Sequence, residues 1–476
     1  MACPPSSGSS NIATDKGRSE TSGSLASESL DLTQVATHRA TPGTGSEKPA
    51  AVGGGAVPAT PANGAVPSIR MNTGWRPWKV VLGCFCLTIP TFGLLSTIGL
   101  FQTHWHQSVL QERSEGEIAW IISIFGFLDC LFASPAGILF DRYGLKWLLP
   151  LGCVAYIASF IGLAFASTYG QFMGCMALSG ISAAIPTTVA FSVVSQWFQE
   201  REGLATGCVT LGAPLGGIFF SLLLQTLFDG FPWRTAALVL AGVLAAFVLL
   251  GILMVEANVP QQTASGDTDE SSTTAKVPGI LRCSKFWLIS YAVFAYELIL
   301  FIQWGSVPSY AVSANAGNVQ FYLMMSYNIG ALLGRTVPPW LSDRGSGPMN
   351  TTILMNMFTL LVVLTVWLPV GASSVPALFI VIVLMGIGTG SLVPLGVSCV
   401  NALCDPQSIG TWLGSVYSIA SVATLIGNPA SEAMLSRYGP QGLVAFLAAV
   451  LFSGMISTGT LRWIHLGRRW ALHAQV

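Results

Sequence analysis

Charge is what this chain has least of. Asp, Glu, Lys and Arg together make up 9% of its 476 residues, against roughly 25% in an ordinary soluble domain. Such a composition belongs to a chain with little water-facing surface. The 21 basic and 21 acidic residues cancel to a net charge of +0, so there is no basic field for a nucleic-acid partner. Catalytic signatures are missing too. There is no Gly-x-Ser-x-Gly elbow and no His-Glu-x-x-His. The five histidines, His38, His104, His106, His465 and His473, are dispersed. An enzyme is therefore not expected, nor a bound metal or cofactor. No phosphate-cradling loop with Lys and Ser or Thr is present, which excludes ATP-driven work. The ten cysteines are scattered, most of them inside apolar runs. They read as small hydrophobes, neither disulfides nor zinc ligands.

Residues 1–70 lack aromatics and are rich in Ser, Thr, Gly, Ala and Pro. That composition cannot bury enough apolar area to offset chain entropy, so a disordered tail is expected. It contains no apolar h-region, so it does not read as a signal peptide. The first span must then direct membrane insertion.

What is present is hydrophobicity: 52% of residues, with a mean hydropathy of +0.63. About 20 apolar residues cross roughly 30 Å of hydrocarbon. Runs of that kind cover 79–101, 118–140, 147–167, 170–194, 204–227, 234–256, 286–309, 320–341, 352–371, 376–399, 409–431 and 440–463. The expected fold is an all-α membrane protein of twelve transmembrane helices in two six-helix halves. The halves are 71–256 and 284–465, joined by a polar linker at 257–283, with a short tail at 466–476. Basic residues set the orientation. With the N-terminus inside, the inner flanks hold Arg70, Arg76, Lys79, Arg142, Lys146, Arg201, Lys276, Arg282, Lys285, Arg344, Arg462, Arg468 and Arg469. The outer flanks hold only Arg113, Arg234 and Arg437. Both termini are thus expected in the cytoplasm. The sequon Asn350-Thr351-Thr352 then lies on the inner side and stays unglycosylated.

Between the second and third runs lies Gly137-Ile138-Leu139-Phe140-Asp141-Arg142-Tyr143-Gly144-Leu145-Lys146. A weaker copy, Pro339-Trp340-Leu341-Ser342-Asp343-Arg344-Gly345, follows in the second half. Internal repeats are a recurrent build for secondary transporters. Ionisable residues inside a span cost roughly 2.5–3.5 kcal/mol on insertion scales, so they are retained for function or for pairing. Asp129, Glu297 and Arg335 fall inside runs. Arg335 reads as a fork for a substrate carboxylate or as a structural partner of Glu297 or Asp343. Asp129 and Glu297 read as proton carriers or as packing residues. Asp129 occupies the place that Ala331 takes in the second half, and so could lend an acid to Arg335. Gln303, Trp304, Asn328, Tyr417 and Asn428 sit at helix middles. They suit an organic ligand with one polar end, or else helix-helix hydrogen bonding.

The signature Gly137, Asp141, Arg142, Gly144, Lys146 with its copy Asp343, Arg344 resembles the loop after the second helix of the major facilitator superfamily. Within it the chain is similar to the fungal branch of the monocarboxylate transporter family. The resembling elements are Thr91-Phe92-Gly93, Gly99-Leu100-Phe101-Gln102, Ile118-Ala119-Trp120-Ile121, Leu139–Gly144, Trp197–Gly207 and Gly334-Arg335. There are departures. The stretch 72–78 has no acid where the family opens with one. Ser96 stands where animal members carry a lysine, and Ala331 where they carry an aspartate. The resemblance implies a secondary-active or facilitative carrier of a small organic acid or related metabolite, working by alternating access. It places a substrate-facing arginine at Arg335. The implied partners are an organic anion, protons and the lipid bilayer, with a monomeric carrier in the plasma membrane. The alternatives are an exporter of a secondary metabolite on the same fold and a non-transporting nutrient sensor.

Overall fold

The computed structural model describes residues 74–198, 202–256, 282–313, 319–370, 374–404 and 409–467. The expected N-terminal tail, nearly all of the linker between the halves and residues 468–476 lie outside them. The described residues are helical, with no strand among them. Nine of these helices are long and apolar enough to cross a membrane, from Glu115–Phe140 to Trp412–His465. The last of them is 54 residues long, enough for two crossings. It breaks at Gly439, where φ is 73° and ψ −175°, a conformation that costs glycine little. Two further segments complete the bundle. One is Trp75–Thr88 continued by Gly99–Gln107, and the other is Gln320–Leu341. The arrangement has room for the twelve expected spans.

Helix ends extend past the apolar runs because local chemistry, not hydropathy, sets them. Ser114 accepts from the Glu117 amide while the Glu117 carboxylate accepts from the Ser114 amide at 3.0 Å. This reciprocal cap starts the second span at Glu115, ahead of its apolar run. Pro90 lies within the π turn Ile89–Gly93, which interrupts the first span. A proline offers no amide, and such local bulges accommodate the loss.

The signature stretch was expected to be a short polar loop. It is almost wholly helix. Glu115–Tyr143 runs through Asp141 and Arg142, and Leu145 already begins the next helix. Gly144 alone turns the chain, with φ 69°, and its amide donates to the Phe140 carbonyl at 2.8 Å. One residue in the left-handed region suffices to end a helix. The side chains of Asp141 and Arg142 lie outside the described residues. In the second copy Ser342–Ser346 forms a π turn, with Gly345 at φ 141°. There the Arg344 guanidinium lies 3.9 Å from the centre of the Trp340 ring, a cation-π contact.

The N-terminal helices (75–254) and the C-terminal helices (284–465) meet along three lines. Glu115–Tyr143 packs on Ile409–His465, Gly212–Gly230 on Gln320–Leu341, and Gly99–Gln107 on Ser284–Ser313. Contact is close where one partner is glycine. A Cβ on Gly99 would sit 2.2 Å from the Gly305 carbonyl oxygen, and one on Gly217 2.3 Å from the Asn328 amide. Small residues allow such approaches between helices in lipid. Below, "distal" means the end of the bundle that carries residues 103–114, and "terminal" the opposite end. Eight cysteines, among them Cys84, Cys130 and Cys399, are free.

Candidate functional site

Arg335 joins the two sets of helices. Its Nη1 donates to the backbone carbonyl of Thr210, 3.0 Å away in the fifth span. That carbonyl is available for a sequence reason. Within a helix it would accept from the amide four residues on, and that residue is Pro214, which has none. The helix stops at Thr210 and resumes at Gly212. Arg335 Nε is buried and has no hydrogen-bond partner. The electrostatic neighbours of the guanidinium are Tyr327, Glu297 and Tyr417. Neither structural pairing considered for Arg335 is formed, because the ion pairs among the described residues do not include it. Asp129 is not among its electrostatic neighbours.

Glu297 is buried on the seventh span, and Asp129 is buried on the second. Asp129 Oδ1 has no partner. Gln303 is tied to the tenth span through its Oε1, which accepts from Thr389 Oγ1 at 2.8 Å, while its Nε2 is unpaired. Thr389 also bonds the Tyr327 hydroxyl at 3.0 Å. A small cavity beside Gln303 is lined by Ser306, Tyr310 and Trp367. Asn328 donates to the Met324 carbonyl at 2.9 Å, within its own helix, and packs on Gly217. Trp304 is buried against Phe301, ring centres 5.2 Å apart. Asn428 is fully buried against Gly305, and both its amide atoms are unpaired. Tyr417 is half-buried.

Arg335, Glu297, Tyr327 and Tyr417 thus form one electrostatic group. Gln303 joins it through Thr389 and Tyr327. Asn328 lies at a contact between the two sets of helices, against Gly217, and Asn428 lies at a contact within the C-terminal set, against Gly305. Buried polar atoms are almost always satisfied in folded proteins. Here the unsatisfied ones include Arg335 Nε, Gln303 Nε2, Asp129 Oδ1 and both atoms of the Asn428 amide. They offer donors and acceptors inside an apolar bundle, which is what a ligand with a polar end needs. A third buried acid escapes the sequence reading. Glu432 is 3% exposed and sits inside a helix that continues to Tyr438. The apolar run ends at 431, so hydropathy alone leaves Glu432 in a loop. Its spacing of four from Asn428 puts both on one helix face, and that is the signal that finds it.

Two comparisons define the class. The model of the Major Facilitator Superfamily matches residues 80–372 and 323–473, and the chain belongs to that superfamily. It is 28% identical to "MFS-type transporter 1" of an Ophiocordyceps species, over 83% of this chain and 88% of that one. It is 29% identical to the "Aspyridones efflux protein apdF" of Emericella nidulans, over 81% and 78%. It is 27% identical to the "Riboflavin transporter MCH5" of Saccharomyces cerevisiae, over 76% and 73%. Among solved structures it shares the fold of a variant of the nucleoside transporter NupG, with TM-score 0.62 and 12% identity, over 81% of this chain and all of the other. It also shares the fold of a bacterial homologue of the human lysosomal transporter Spinster, with TM-score 0.61 and 15% identity, over 84% of this chain and all of the other.

Proposed function

We propose that this chain is a gradient-driven or facilitative carrier that moves an organic metabolite with an anionic end across a membrane by alternating access. Twelve spans in two halves close around a site near mid-membrane. The observation that carries the reading is Arg335. One arm of its guanidinium is fixed by Thr210 in the opposite set of helices, and Nε is left buried and unpaired. A carboxylate taken by the Nε side of the fork would complete the group with charge-assisted hydrogen bonds. Such a ligand touches both sets of helices through one residue, so binding favours the conformation in which they are joined. Gln303, Trp304, Asn328, Tyr417 and Asn428 supply the amide and aromatic lining, and Asp129 and Glu297 are the acids available for proton coupling. Asp141, Arg142, Lys146 and the copy Asp343, Arg344 belong to the terminal ends of the spans. There, contacts that differ between conformations bias the equilibrium.

Export of a secondary metabolite is the second reading. It is favoured by relatives named as efflux proteins, such as the "Agnestins efflux protein AgnL12" of Paecilomyces divaricatus, 28% identical over 80% of this chain. The similarity to the yeast riboflavin transporter also speaks for a substrate larger than a simple monocarboxylate. A plasma-membrane location with cytoplasmic termini completes the proposal. The test is flux in sealed vesicles of both orientations, with labelled carboxylates and neutral metabolites, with and without a proton gradient. Movement of carboxylates that saturates and requires Arg335 supports the reading. Movement confined to neutral solutes defeats it.

A further inference from the structure

The buried acid Glu432 lies apart from the Arg335 group, at the distal end of the bundle where the two sets of helices meet. Gln102 of the first span, itself 0% exposed, donates from Nε2 to Glu432 Oε1 at 2.7 Å. The same Nε2 reaches the Ser309 hydroxyl of the seventh span at 3.4 Å. Three helices are thus pinned by one amide nitrogen. No Lys or Arg of the described residues forms an ion pair with Glu432. The charged group facing it is another acid, Glu115, at the start of the second span. Beyond Glu115 stands His106, whose Nε2 is 3.8 Å from Glu115 Oε1. Arg113 is engaged by Glu117 at 3.3 Å. Glu115 and His106 are both about one-third exposed.

The amide of Gln102 is only half used. Its Oε1 is buried and has no partner, although its Nε2 is bonded to the carboxyl group of Glu432. A carboxylic acid and a primary amide are complementary in both directions: the amide N–H donates to one oxygen, and the acid O–H donates to the amide oxygen. A single proton on Glu432 therefore satisfies the orphaned acceptor and removes a buried charge that no cation balances. Without that proton, the carboxylate keeps the Gln102 amide and the Ser309 hydroxyl as donors but faces a second carboxylate and an unpaired carbonyl in an apolar seal, an arrangement that burial penalises.

We propose that Glu432 is a proton-operated latch on the distal seal. When it is protonated, the Gln102–Glu432 pair is complete and the two sets of helices are closed. When the proton leaves through Glu115 and His106 to distal water, the seal loosens. The idea rests on the alternating-access reading for its consequence, since opening the seal admits or releases solute at that end. It differs from proton transfer at Asp129 or Glu297, because it acts on the gate and not on the binding group.

The experiment is hydrogen-deuterium exchange of the purified full-length protein at acidic and mildly alkaline pH, corrected for the intrinsic rate, with peptides covering 99–115 and 425–438. Infrared pH-difference spectra of the same samples report the buried protonated carboxyl. The wild type should exchange several-fold faster in these segments at the higher pH, while residues 145–165 stay unchanged. Glu432→Gln keeps both hydrogen bonds without a titratable proton. It should stay protected at both pH values and lack one protonated-carboxyl band. Gln102→Leu removes the partner in both protonation states and should be loosened at both. Opposite loss of pH dependence in the two variants supports the latch. A wild type whose distal exchange ignores pH, or a variant of either kind that keeps the wild-type pH response, overturns it. No substrate is needed, so a failed latch and a failed transport assignment give separate results.

Discussion

Gly99→Ala tests the geometry of the distal seal with a single methyl group. The added Cβ would lie 2.2 Å from the Gly305 carbonyl oxygen, 2.6 Å from that of Trp304 and 2.8 Å from the Gly305 carbonyl carbon. All three are backbone atoms in the middle of a 30-residue helix, so no rotamer change relieves the clash. Ordinary contact begins near 3.4 Å, and the helices must separate by about 1 Å. The Gln102–Glu432 bond, now 2.7 Å, lies one helical turn away and would be stretched past useful length. Overpacking of this kind costs about 1–3 kcal/mol, which shifts a two-state equilibrium roughly 5- to 150-fold. The assay is chemical labelling of a cysteine introduced at buried Thr103, one turn along the first span from Gly99, in membranes, with flux measured in parallel. Gly116→Ala is the control, because nothing lies within 4 Å of its Cβ position. We predict faster labelling and altered flux for Gly99→Ala and none for Gly116→Ala. Equal labelling in Gly99→Ala and wild type would refute the close contact of the first and seventh spans.

Other outcomes follow from the same structure. Arg335→Lys keeps the charge but loses the fork and the reach to Thr210. A charge-assisted bond is worth about 1.5–3 kcal/mol, so transport should fall roughly tenfold to a hundredfold with normal expression. Arg335→Ala with Glu297→Ala separates the roles, since restored transport in the double variant would make the arginine a structural partner only. If Glu297 or Asp129 carries a coupling proton, Glu297→Gln or Asp129→Asn should abolish the pH dependence of net flux and spare exchange. Unchanged pH dependence in both would rule these acids out. Deleting residues 1–67 should leave flux per surface-expressed molecule intact, and a correctly localised but inactive truncation would contradict that.

Much of the helix plan was legible in the sequence because hydropathy is a strong signal over 20 residues. The run at 320–341 coincides with the helix Gln320–Leu341. Ends were less legible, because caps and prolines set them. The Ser114–Glu117 cap moves one start outward, and a single Gly144 replaces an expected loop. The end placed at residue 431 has the larger consequence, since it hides a buried acid in what hydropathy reads as a loop. The partner of Arg335 was beyond sequence reading in practice. It is a backbone carbonyl 125 residues away, freed by a proline four positions further on. Hydropathy and motif matching do not register a missing amide. The cradle of Asn428 against Gly305 is of the same kind, because it depends on how two helices meet and not on either alone.

The most direct test of the central claim is substrate flux in proteoliposomes of purified wild type and Arg335→Lys, assayed side by side with carboxylate and neutral metabolites. The account predicts saturable carboxylate movement by the wild type, driven by its gradient, and a fall of at least about tenfold in the variant. Carboxylate movement that Arg335→Lys leaves untouched, or transport restricted to neutral solutes, would contradict it.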